Sequence, residues 1–131
     1  MISAATLRSI ATGRLDDARQ LLQAGRFDGA VYLCGYAVEL ALKARICDTL
    51  GWAEFPDKPN EFRAYQSLKT HSLAVLLRFT AQEQNLKTNF LAEWSAVSSW
   101  EPESRYKALG TVTQAEAQSM IDSAAILLEA L

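Results

Sequence analysis

The segment FDGAVYLCGYAVELALKARICDTLGW, residues 27–52, most limits what this chain can fold into. Its spacing predicts one helix from Phe27 to Trp52 with two apolar stripes: Phe27, Val31, Cys34, Val38 and Ala41 on one, Leu33, Ala37, Leu40, Ala44 and Cys47 on the other. A helix wet on one side needs a single stripe. Two stripes require neighbours on both flanks, which makes this the central member of a bundle. Between them runs a row of polar atoms, Tyr32, Tyr36, Glu39 and Lys43, each three or four residues from the next. Gly35 inside the helix costs about 1 kcal/mol against alanine, which a close-packed neighbour would offset.

The flanking segments supply those neighbours. From Ser3 to Ala24, Leu7, Ala11, Leu15, Ala18 and Leu22 recur on one face, with Ser3 placed to cap the start and Gly25 to end the helix in a left-handed residue. The connection is so short that the two helices must form an antiparallel hairpin, with Asp28 as the expected N-cap of the second. Pro56 and Pro59 then forbid helix, and Phe55, Phe62 and Tyr65 fold that loop back over the bundle. Further helices are expected from His71 to Thr80, with Thr70 as cap, and from Asn85 to Ser98, burying Leu86, Phe90, Trp94 and Val97. A second loop holds Pro102, Arg105 and Tyr106. TQAE at Thr113–Glu116 is the sequence of a reciprocal capping box, and Ala117, Ile121, Ala124, Leu128 and Leu131 carry the last apolar face. No run alternates as a strand does. The expected fold is all-α: one domain over 1–131, an antiparallel up-and-down bundle of four to five helices with two long loops.

Composition excludes more than it assigns. Half of the 131 residues are hydrophobic and the net charge is −2, so no strong claim on nucleic acid comes from the overall balance. Charged residues interrupt the central helix too often for a membrane span, and the N-terminus lacks the pattern of a secretory signal; a cytoplasmic protein is expected. Cys34 and Cys47 lie thirteen residues apart on one helix, about 20 Å, which is too far for a disulfide. With a single histidine, no metal site is expected, and no cofactor is implied. Neither a phosphate-binding glycine loop nor a nucleophile elbow is present. Three tryptophans and nine other aromatics in so small a domain predict an exposed apolar patch and hence a homodimer.

The candidate site residues are Tyr36, Glu39, Lys43, Lys69, His71, Arg105 and Tyr106, drawn from the central helix and the two loops. Each also has a structural use. Glu39 and Lys43 can pair along their own helix, Tyr36 can bury its ring, and His71 can tie down the proline loop.

Several strings in this set, Gly25-Arg26-Phe27, Gly35-Tyr36-Ala37-Val38-Glu39-Leu40-Ala41-Leu42-Lys43-Ala44, Lys69-Thr70-His71-Ser72-Leu73 and Trp100-Glu101-Pro102-Glu103-Ser104-Arg105-Tyr106, resemble the HEPN family of small helical domains. The resemblance implies an up-and-down bundle, usually homodimeric and often encoded beside a minimal nucleotidyltransferase in toxin-antitoxin or defence loci. Many members are metal-independent ribonucleases whose signature is an arginine followed, after about four to six residues, by a histidine. Here the nearest arginine upstream of His71 is Arg63, seven intervening residues away and in the proline loop. The first expectation is therefore a binding module acting with a separately encoded nucleotidyltransferase or antitoxin, holding a nucleotide or RNA near Lys43, His71 and Arg105, with Tyr36, Glu39, Lys69 and Tyr106 around it. The second is an endoribonuclease toxin in which His71 moves the proton and Arg105 holds the phosphate. The third is a purely structural subunit.

Overall fold

A computed structural model describes residues 1–131. Helix α1 (Ala4–Gln23) and helix α2 (Phe27–Leu50) form the expected hairpin. Ser3 Oγ accepts from the Thr6 amide to start α1, and Leu7, Ala11, Leu15 and Ala18 are its buried face. Gly25, at φ 75°, makes the left-handed turn between the helices. Helix α2 packs against α1, against the last helix α6 (Gln114–Ala130) and against α3 (Leu73–Arg78), so it is the central rod. Its burial goes nearly all round: beyond the two stripes, Ala30, Leu42 and Ile46 are also closed off from solvent, while Phe27, Val31, Leu33 and Leu40 are half-buried.

The structure departs from expectation at several ends. Helix α2 stops at Leu50, because Gly51 takes a left-handed conformation at φ 69°; it does not reach Trp52. Asp28 is not its N-cap, since Arg26 holds that position and Asp28 lies in the first turn. Ser72, not Thr70, caps α3 by accepting from the Val75 amide, while Thr70 Oγ1 accepts from Ser72 N in the turn just before. The helix expected over Asn85–Ser98 is two, α4 (Glu83–Asn89) and α5 (Leu91–Val97), broken where Phe90 leaves helical dihedrals at φ −132°, ψ 35°. The break redirects the chain so that α5 packs along α6. Six helices therefore stand in place of four or five. Thr113 Oγ1 accepts from the Glu116 amide at the start of α6, but the return bond of a capping box is not made.

One short pairing was not expected. Strand β1 (Ile2–Ser3) lies antiparallel to strand β2 (Glu54–Phe55), with Ile2 opposite Phe55. It ties the proline loop to the start of the chain, and the Met1 ammonium adds bonds to Asp57 and Glu61. From β2 the loop descends through 3-10 turns at Pro59–Phe62 and Gln66–Leu68, burying Phe55, Phe62 and Leu68 against the bundle. That anchored loop delivers Lys69 and His71 to the side of α2.

Candidate functional site

Helical spacing places Tyr32, Tyr36, Glu39 and Lys43 on one ridge of α2, and the structure turns that ridge into a connected chain of contacts. The Tyr32 and Tyr36 rings meet edge to face, 5.4 Å between centroids. Glu39 is 1% exposed. A carboxylate that deep requires partners, and its Oε1 has two: Lys43 Nζ at 3.3 Å and His71 Nδ1 at 2.6 Å. Since a carboxylate only accepts, Nδ1 carries the proton and donates it, which leaves Nε2 as the free nitrogen of a ring whose side chain is 59% exposed. Lys43 is itself held, 16% exposed, with its ammonium 5.6 Å from the centre of the Phe55 ring.

Trp100, from the second loop, closes the ridge from the other side. Its indole lies over Gly35 so closely that a β-carbon there would fall 2.0 Å from the ring, which accounts for the glycine in mid-helix. Tyr36 sits between Trp100 and His71, with ring centroids at 4.8 Å and 6.2 Å. Burial, then the hydrogen bond with Tyr32, pushes the Tyr36 phenol up to about 12, so it stays a neutral hydroxyl. Arg105 reaches the same end of the ridge. Its guanidinium stacks on Tyr106 at 4.6 Å and donates to the Pro102 carbonyl, and the Tyr106 phenol, followed by that of Tyr32, raises its pKa further.

Two cavities meet at His71. One, of about 480 Å³, is lined by Leu40, Phe55, Phe62 and Leu68 and by Lys43, Asp57, Lys69 and His71. The other, of about 390 Å³, lies toward Trp100, Glu101 and Glu103. Of the residues singled out by sequence, Tyr36, Glu39, Lys43 and His71 are thus brought together, and Lys69 shares their cavity. Arg105 lies beyond Tyr36 and makes no hydrogen bond to His71. Tyr106 is 77% exposed and contacts the Arg105 guanidinium. Trp100 and Phe55 are parts of the site beyond those singled out, and the glycine at 35 is the sequence signal of the close-packed neighbour that Trp100 proves to be. No group of three or more His, Cys, Asp or Glu side chains is arranged to hold a metal ion.

A helical bundle whose central rod carries a histidine-carboxylate pair flanked by lysines is the class of protein that fold and site define. Within that class, residues 4–54 match the family model described as HEPN domain, a stretch that holds α1, α2 and the start of β2. The match takes in Tyr36, Glu39 and Lys43 but ends before His71. No curated protein and no solved structure matches the chain. No helix is long and apolar enough to cross a membrane.

Proposed function

We propose that the protein is a cytoplasmic HEPN module that binds a phosphate-bearing ligand, a nucleotide or an RNA end, and acts as a homodimer with a separately encoded partner such as a nucleotidyltransferase. One observation carries the reading: Lys43, Lys69 and His71 open onto a single cavity of about 480 Å³ with apolar residues in its lining. Asp57, the one carboxylate in the lining, is paired with the Met1 ammonium, so the lysines suit a phosphate and the apolar lining suits a flat base. The contribution of the partner rests on the resemblance to the HEPN family alone.

The bond from His71 Nδ1 to Glu39 favours a second reading, a metal-independent endoribonuclease. A buried carboxylate that fixes the imidazole and leaves Nε2 exposed is the arrangement that proton transfer to or from a ribose hydroxyl requires. Against it stands Arg105, which does not reach the imidazole to stabilise a phosphorane.

One pair of measurements separates the two. Filter binding of nucleotides and of short labelled RNA should show an affinity that falls with salt and that Lys69→Ala weakens several-fold. A parallel metal-free incubation with total RNA should give no cleavage. Cleavage by the wild type that His71→Ala abolishes would install the nuclease reading, and absence of both binding and cleavage would remove each.

A further inference from the structure

Where the proline loop leaves α2, a cavity of about 380 Å³ is lined by Met1, Trp52, Glu54, Pro56 and Tyr65, and only Pro56 is shared with the lining of the cavity that holds Lys43, Lys69 and His71. Side chains alternate across a strand, so in β2 Phe55 turns to the core and Glu54 to the opposite face, on the side of this cavity. The aromatic rings of the loop divide likewise. Phe55 and Phe62 are buried, whereas Tyr65 is 43% exposed and packs against the Trp52 indole, with 4.7 Å between centroids and the ring planes 64° apart. In an edge-to-face pair the ring that gives its edge keeps both of its own faces out of the contact, so this pair retains open π surface.

The charges at the cavity have one sign left over. The Met1 ammonium, the one cation in the lining, is already neutralised by Asp57 at 2.6 Å and Glu61 at 2.8 Å. Glu54 forms no ion pair, and no lysine or arginine lines the cavity. A free carboxylate beside aromatic rings, whose faces are themselves negative, attracts a cation. A bare ammonium brings three N–H groups that each need an acceptor, and among the lining side chains only the Glu54 carboxylate is a strong one; a quaternary ammonium brings no N–H at all. We propose that this cavity binds a methylated, quaternary ammonium group, carried by a small molecule such as choline or by a trimethylated lysine side chain. Its methyl groups lie on Trp52, Tyr65 and Pro56, and Glu54 balances its charge. The site is independent of the one proposed at His71, and either can fail without the other.

The indole proton of Trp52 is the reporter. In nitrogen-15 correlation spectra of the full chain, choline at millimolar concentration should move the Trp52 indole resonance saturably, while those of Trp94 and Trp100 stay in place. Its neutral carbon isostere, dimethylbutanol, has the same shape without the charge and should bind about fivefold more weakly. Glu54→Gln removes the charge from an exposed side chain and should weaken choline about threefold with the melting temperature unchanged, and Tyr65→Leu should weaken it about tenfold. A peptide bearing trimethyllysine, set against the same peptide unmodified, tells the two carriers apart: tighter binding of the methylated peptide than of choline supports the site as a receptor for a modified protein, and binding of choline alone supports it as a receptor for a small molecule. The proposal is overturned if neither choline nor the methylated peptide moves the Trp52 resonance, if the isostere binds as well as choline, or if the unmodified peptide binds as well as the methylated one.

Discussion

Glu39 is where the energetics of the site concentrate, because one buried carboxylate balances Lys43 and His71 together. Removing it in Glu39→Ala leaves an ammonium that is only 16% exposed without a counter-charge. The cost should be about 3 kcal/mol, the lower end for breaking a buried pair, since His71 still reaches water. Glu39→Gln keeps the shape and an acceptor for Nδ1–H and should cost about 1 kcal/mol. Urea melts of the two variants check the order, and equal losses would mean that the charge, not the shape or the acceptor, is what Glu39 supplies. Gly35 gives the opposite test of intuition. Helix propensity alone promises a gain of about 1 kcal/mol for Gly35→Ala, but a β-carbon 2.0 Å from the Trp100 ring must displace an indole wedged against α2. Overpacking of that kind costs about 3 kcal/mol, so a net loss of about 2 kcal/mol is expected, with a change in near-ultraviolet dichroism as Trp100 moves. The ridge from Tyr32 to Lys43 was legible in the sequence because its contacts run along one helix, where spacing is geometry. The bond that gives it chemical meaning, Glu39 to His71, was not. It spans 32 positions through a loop whose path depends on the buried Phe55 and Phe62, and no local rule encodes such a path.

Elements with strong periodicity, α1, α2, α3 and α6, were legible to within a few residues, whereas the break between α4 and α5 carries no proline or glycine to mark it. Asp28 shows how an end signal is misread. In the sequence it stands where an N-cap should, yet its carboxylate is turned to the loop before α6, accepting from Gly110 N at 2.6 Å and Val112 N at 3.0 Å. The aspartate thereby staples the second long connection to the first turn of the central helix, at the end where the helix dipole favours an anion. The Gly110 amide, ahead of that of Val112, draws the Asp28 pKa below its ordinary 3.8. A carboxyl whose folded pKa is depressed stabilises the fold above the unfolded value, and that contribution disappears as pH falls through the folded one. Asp28→Asn should therefore lower the urea midpoint at neutral pH, and the gap between wild type and variant should shrink as the solution is taken below the ordinary value. A gap that persists unchanged in acid would show that the amide loses something other than the charge. Faster hydrogen exchange at Gly110 and Val112 in the variant is the local readout.

At the scale of the whole molecule, the interior is well closed and the surface is not. Leu109 is 92% exposed and Tyr106 77%, both in the loop that Asp28 holds, while Leu91 at the start of α5 is 59% exposed. Surface contacts leave no periodic trace in a sequence, which is why the aromatic content predicted an association without saying where. The proposed homodimer gives these side chains an occupant, a second copy of the chain, at little cost in ordering because the loop is already pinned at Gly110. Light scattering at tens of micromolar should return a dimeric mass for the wild type. Leu109→Lys combined with Tyr106→Glu should shift it to the monomer with the melting temperature nearly unchanged at high dilution, since neither side chain contributes to the core. A monomeric wild type at that concentration would remove the homodimer. A dimer that survives both substitutions would keep the association but move it to another face, with the exposed end of α5 around Leu91 as the next to test.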